Sequence, residues 1–175
     1  MSSFPPERIY CQDEMRYGTR TQHGRRWMPH GERPRCPVRI GYSFGLLSVA
    51  LCPYTGDLLA ILLPSMDRDC FHIFCQALAE HTQQQNAPLL LLTDRASGHT
   101  AAAPTKGIER VLFSAASPEL NPVERFFKQL RKELKSRLFD SLQQIEARIT
   151  ALLTHYWQNP AAVVSITCFP YFNTK

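Results

Sequence analysis

Pro88-Leu89-Leu90-Leu91-Leu92-Thr93-Asp94 is the stretch that decides the fold class. Four consecutive leucines in a run of strand length show no alternation of apolar and polar positions, the pattern of a strand covered on both faces by helices. The run ends in a carboxylate, with Ser97-Gly98-His99 just beyond it. Upstream of it, before the polar linker Gln83-Gln84-Gln85-Asn86, Phe71, Phe74, Cys75, Leu78 and Ala79 recur at helical spacing. That spacing predicts a helix from Asp67 to about Gln84. Downstream, a weaker strand runs from Ile108 to Phe113. Strands alternating with helices make the chain α/β.

Working outward, Ile9, Cys11 and Asp13 share one face of a first strand, Arg8 to Asp13, so that a carboxylate closes an apolar face. Glu14 then falls on the opposite face. Val38 to Cys52 and Leu58 to Leu63 flank Pro53-Tyr54-Thr55-Gly56-Asp57, whose Pro, Gly and Asp supply turn chemistry for an antiparallel hairpin. In the last third Asn121 suits an N-cap and Pro122 the first helical position. Val123, Phe126, Phe127, Leu130, Leu134 and Leu138 then form one apolar stripe to about Phe139. Ser141 with Gln144 opens a further helix to about Trp157, ended by Asn159-Pro160. This reading gives one domain over residues 1–160, holding a basic loop over 16–39, and a C-terminal tail over 161–175.

Composition fits that organisation: 175 residues with 44% hydrophobic side chains suffice for a single core. No apolar run approaches the roughly 18 residues of a membrane span, and the N-terminus lacks a signal-peptide pattern, so the expected compartment is the cytoplasm. Six cysteines without a C-x-x-C pair argue against a zinc ribbon or a thioredoxin-like motif. The net charge of +5 is modest, but its distribution is uneven. Seven arginines against Glu32 lie between Arg16 and Arg39, and six bases against Glu133 lie between Arg125 and Arg137. Such concentration costs self-repulsion and points to a polyanionic partner.

Three acids stand at element ends: Asp13, Asp94 and Glu124. Carboxylates converging from separate elements are what hard divalent cations require. Each also has a structural reading: Asp13 as a turn residue, Asp94 as an Asx-turn acid bonding near Ser97, and Glu124 as the reciprocal partner in an Asn-x-x-Glu capping box. Glu124, Lys128, Arg131 and Lys135 recur on one helix face, so the acid heads a basic ridge. A solvated helix face gives the same spacing.

Three blocks carry a resemblance. Gln12-Asp13-Glu14 precedes a basic stretch with Arg26-Trp27 and Gly31-Glu32-Arg33-Pro34. Leu92-Thr93-Asp94-Arg95-Ala96-Ser97-Gly98-His99 follows, and then Ser117-Pro118-Glu119-Leu120-Asn121-Pro122-Val123-Glu124-Arg125-Phe126-Phe127-Lys128. Over roughly residues 8–158 the sequence resembles the DDE transposases of bacterial insertion sequences related to the Tc/mariner group. The resemblance implies an RNase H-like fold, a mixed sheet flanked by helices, with Asp13, Asp94 and Glu124 as catalytic carboxylates holding two Mg²⁺ (or Mn²⁺) ions. It implies strand cleavage and strand transfer on DNA at element ends and target, with His99 in a supporting role. Arg25, Arg26, Lys128, Arg131 and Lys135 become the candidate DNA contacts. Arg95 stands where the group usually has Asn. A homodimer, a bacterial nucleoid-associated setting, and a helix-turn-helix portion encoded in an upstream frame complete the expectation. The competing readings are a catalytically silent DNA-binding remnant and another RNase H-like nuclease.

Overall fold

The computed structural model describes residues 4–24, 27–33, 35–82, 87–114 and 118–169. Five strands, β1 (Ile9–Gly18), β2 (Phe44–Leu51), β3 (Leu58–Leu63), β4 (Leu89–Thr93) and β5 (Ile108–Leu112), form one mixed sheet in the order β3-β2-β1-β4-β5. The β1-β2 and β2-β3 pairings are antiparallel, whereas β4 lies parallel to both β1 and β5. The helices are α1 (Arg68–Thr82), the short α2 (Ser97–Ala101), α3 (Pro122–Leu134), α4 (Leu142–Gln158) and α5 (Pro160–Thr167).

Alternation along β1 divides the core in two. Cys11, Met15 and Tyr17 pack with Val123, Phe126, Phe127, Leu130, Ile149 and Val163 of α3, α4 and α5 on one face. Tyr10 packs with Phe71, Phe74 and Leu78 of α1 on the other. In β4, Leu89 and Leu91 join the α1 side and Leu92 packs against the other, so the leucine run is covered on both faces as its lack of alternation requires. The helix α1 is capped by Asp67, whose Oδ1 accepts the amides of Asp69 and Cys70 at 3.0 and 2.9 Å.

Several boundaries differ from the sequence reading. β1 does not end at Asp13: its ladder with β2 continues from Asp13↔Val49 to Gly18↔Phe44, so the carboxylate lies in mid-strand and Arg16 belongs to β1 rather than to the basic loop. β2 begins at Phe44 rather than Val38, and Val38, Ile40 and Tyr42 are exposed. The expected end of α1 at Gln84 lies outside the described residues, as does the loose tail over 171–175. Helix α3 stops at Leu134, followed by Ser136 at φ 59°, which leaves Leu138 half exposed instead of in the stripe. Asn159-Pro160 ends α4 but starts α5, since Pro at a first helical position lacks only an amide that would have no partner there. Thus 160–167 is a helix with buried Val163, not a tail. It abuts the β2-β3 turn at Gly56, where φ is +75° and any Cβ would collide with the Pro160 carbonyl. Cys11, Cys52 and Cys75 are buried thiols. No helix among the described residues is long and apolar enough to cross a membrane.

Candidate active site

Parallel pairing between β1 and β4 covers Ile9↔Leu90 to Cys11↔Leu92. Carried two residues further, this register sets Asp94 abreast of Asp13, just where β4 ends and the sheet opens. Asp13 shares its face with Cys11 and so looks toward α3. There Asn121 does two things. Its Oδ1 accepts the Val123 amide at 3.1 Å as the α3 cap, and its Nδ2 donates to the Gln12 carbonyl at 3.0 Å and to Asp13 Oδ2 at 3.3 Å. The first turn of α3, with Glu124, is therefore stitched to mid-β1. Asp13 Oδ1 accepts the Glu14 amide at 2.8 Å.

Burial pushes the Asp13 carboxyl up from 3.8 to about 7, with further increases from the charges of Glu124, Glu14 and Asp94; the Glu14 amide works in the opposite direction. The charges of Glu124 on α3 and of Asp94 past the end of β4 are thus felt at Asp13 on β1, as is that of Glu14.

Asp94 is half exposed, and its Oδ1 accepts both the Ala96 amide at 2.9 Å and His99 Nδ1 at 2.6 Å. The Asx turn is therefore present, closing on Ala96 rather than Ser97, alongside the contact to His99. Oδ2 has no hydrogen bond among the described residues. His99 lies on α2, its ring 4.3 Å from that of Phe71 and its side chain 1% exposed. Its Nε2 meets Glu14 Oε1 at 3.0 Å, and the Glu14 side chain is only 6% exposed. Gln12 Nε2 donates to the same Glu14 oxygen at 2.5 Å, with Ser48 Oγ at 3.4 Å. Burial alone would lower the His99 pKa, but Glu14 and then Asp94 outweigh it and the net direction is upward, as suits an imidazolium between two carboxylates. Glu14 does lie on the face opposite Asp13, yet it reaches the site through His99. That route has no signal in sequence spacing, because 85 residues separate the two partners.

Glu124 does not form the capping box. Among the described residues its Oε2 instead accepts from Arg131 Nη1 at 3.1 Å. Arg131 is therefore engaged by the acid that heads the ridge, and Lys135 is the C-cap residue beyond α3 rather than a member of the helix face. Lys128 is exposed, with no polar partner among the described residues. An open cleft of about 540 Å³ is lined by Asn121, Glu124, Arg125, Lys128 and Arg131 together with Glu119 and Phe169. Arg25 and Arg26 lie outside the described residues. Arg95 donates from Nε to the Phe113 carbonyl at 3.1 Å, bracing the end of β5.

The donor chemistry fits a small divalent cation: carboxylates are hard oxygen ligands, and added positive charge would favour ionisation of Asp13, which burial and neighbouring negative charge oppose. Among the described residues no three His, Cys, Asp or Glu side chains are already drawn tightly enough to hold a metal ion.

Residues 8–146 match the family described as DDE superfamily endonuclease. Solved structures share the fold. The Mos1 mariner paired-end complex with Mn superposes with a TM-score of 0.69 at 17% identity, covering 99% of this chain and 58% of that one. A pre-cleavage Mos1 transpososome gives 0.68 at 17% identity, covering 97% and 57%. The Mos1 transposase paired-end complex with left transposon end gives 0.65 at 18%, covering 91% and 53%. This chain therefore spans about half the length of the solved chains it matches. No curated protein matches it in sequence. The sheet order, the helices on both faces and the family match across most of the sequence agree, and the chain belongs to the DDE superfamily of endonucleases, with an RNase H-like fold.

Proposed function

We propose that this chain is the catalytic domain of a DDE transposase, cutting DNA and joining the freed end to a target, with Asp13, Asp94 and Glu124 as the cation-holding carboxylates. The observation that carries this reading is geometric: Asp13 lies on the strand that pairs in parallel with β4, whose end bears Asp94, and Asn121, three residues before Glu124 at the start of α3, donates to Asp13 Oδ2 at 3.3 Å. Bound among them, two Mg²⁺ or Mn²⁺ ions would supply the charge neutralisation and Lewis acidity of in-line phosphoryl transfer. Asn121 holds Asp13 against the start of α3. Lys128 and Arg125 line the cleft beside Glu124 and would meet backbone phosphates as the strand is laid across it.

The two basic segments support a DNA partner because they meet in space. The Ser136 amide donates to the Gln22 carbonyl at 2.8 Å, and the Gly24 amide donates to Ser136 Oγ at 3.3 Å. The loop that leaves β1 thus docks on the C-terminal end of α3, placing Arg20 near Arg137 around one depression. Element ends as the specific DNA, a homodimer and a helix-turn-helix portion supplied from an upstream frame belong to this proposal.

The test is nicking of supercoiled plasmid at low salt in Mg²⁺ or Mn²⁺. Wild-type nicking should fall about a hundredfold or more in Asp94→Asn and Glu124→Gln, since even partners of metal ligands are worth about 10–100-fold. Nicking that both substitutions leave intact would place the chemistry elsewhere.

A further inference from the structure

We infer that Glu14 is a positioning residue for the proposed cation site: through His99 it fixes the Asp94 carboxylate with Oδ1 engaged and Oδ2 left for the cation. This rests on the reading of Asp94 as a cation ligand. Three observations carry it. Glu14 is a carboxylate on the wrong face of β1 for the site, yet its side chain is 6% exposed and meets His99 Nε2 at 3.0 Å. A buried carboxylate is costly to desolvate, and the cation site on the other face does not account for one there. His99 is equally enclosed, with Phe71 against its ring, so neither partner can swing away. Finally, the second ring nitrogen is spent on Asp94 Oδ1 at 2.6 Å, the oxygen that also accepts the Ala96 amide.

The physical consequence concerns order. Asp94 lies just past the end of β4 and is half exposed, so without a tether its carboxylate would rotate among rotamers. Two donors on Oδ1 fix the plane of the group, and Glu14 in turn fixes the ring that supplies one of them. Gln12 Nε2 on the same strand and Ser48 Oγ on β2 brace Glu14, tying the device to the middle of the sheet. Such outer partners commonly set ligand orientation and cation affinity.

The experiment is Mn²⁺ binding to the full chain, followed by the loss of the free-ion electron paramagnetic resonance signal, with melts in EDTA to confirm folding. Glu14→Gln keeps the shape but removes the charge that holds His99. His99→Gln can keep a donor near the Nε2 position but has nothing at Nδ1, so it cuts the link at Asp94 even if the first variant folds poorly. Each is expected to weaken Mn²⁺ binding about 10–100-fold, and the two together no more than either alone. In an Asp94→Asn background Glu14→Gln should produce no further loss. A weakening that persists undiminished in that background, or unchanged affinity in both variants, overturns the inference while leaving the proposed function standing. Wild-type protein that binds no Mn²⁺, or binds it equally well as Asp94→Asn, overturns both.

Discussion

Asp13 is expensive to keep ionised, and the cost has a measurable pH dependence. Its carboxyl is raised from 3.8 to about 7 in the folded chain, so between those values the folded state holds a proton that the unfolded state has released. Stability from this group is therefore complete below 3.8, falls as pH rises toward about 7, and is level above it. In EDTA, Asp13→Asn removes the loss. Urea melts at a series of pH values should show the stability gap between variant and wild type widening in favour of Asn across that interval and then holding constant. A gap that does not vary with pH would mean that Asp13 is not held neutral. The same variant should be inactive in plasmid nicking, the opposite signs marking a residue retained for chemistry rather than for folding.

At the scale of elements, α3 joins the core to the site. Its apolar stripe fills the interior, while its cap reaches β1, so one residue, Asn121, serves folding and, in the proposed function, the site as well. The two duties separate by substitution. Asn121→Ala should lose about 1 kcal/mol or more in urea melts, from the cap together with the bond to the Gln12 carbonyl. Asn121→Ser retains a cap acceptor and should recover part of that stability, but it lacks the donor to Asp13 and should nick DNA no better than Asn121→Ala. Full activity in the Ser variant would reduce Asn121 to a cap. Phe126, fully buried beside Tyr156, sets the position of the helix itself, and Phe126→Ala should cost about 3–5 kcal/mol in the same melts.

At the scale of the whole molecule, the two distant basic segments meet among the described residues, with Ser136 as a contact between them. Binding through phosphates makes the logarithm of affinity fall linearly with the logarithm of salt, by about 0.9 per phosphate contact on duplex DNA. Lys128→Ala should therefore lower the slope by about that amount, measured by fluorescence anisotropy on any duplex. Arg131→Ala should lower it less, because its guanidinium is shared with Glu124. Equal slopes for Lys128→Ala and wild type would remove Lys128 from the DNA surface. Two further cations are engaged in ion pairs, Arg39 with Asp140 and Arg148 with Glu133.

By itself the sequence determined the α/β class, the doubly covered leucine strand, the hairpin, the helix starts at Asn121 and Ser141, and three candidate carboxylates. These are local properties: periodicity, turn chemistry and caps act within a few residues of one another. It did not determine where β1 stops, because that depends on the partner strand β2, nor that Pro160 opens a helix, because that depends on a hydrophobic face for α5 to cover. Only the tertiary structure paired β1 with β4, turned Glu124 from its cap toward Arg131, and linked Glu14 to Asp94 through His99. Parallel pairing and side-chain contacts across 85 residues have no period in the sequence, so the site becomes visible only when the strands that carry it lie side by side.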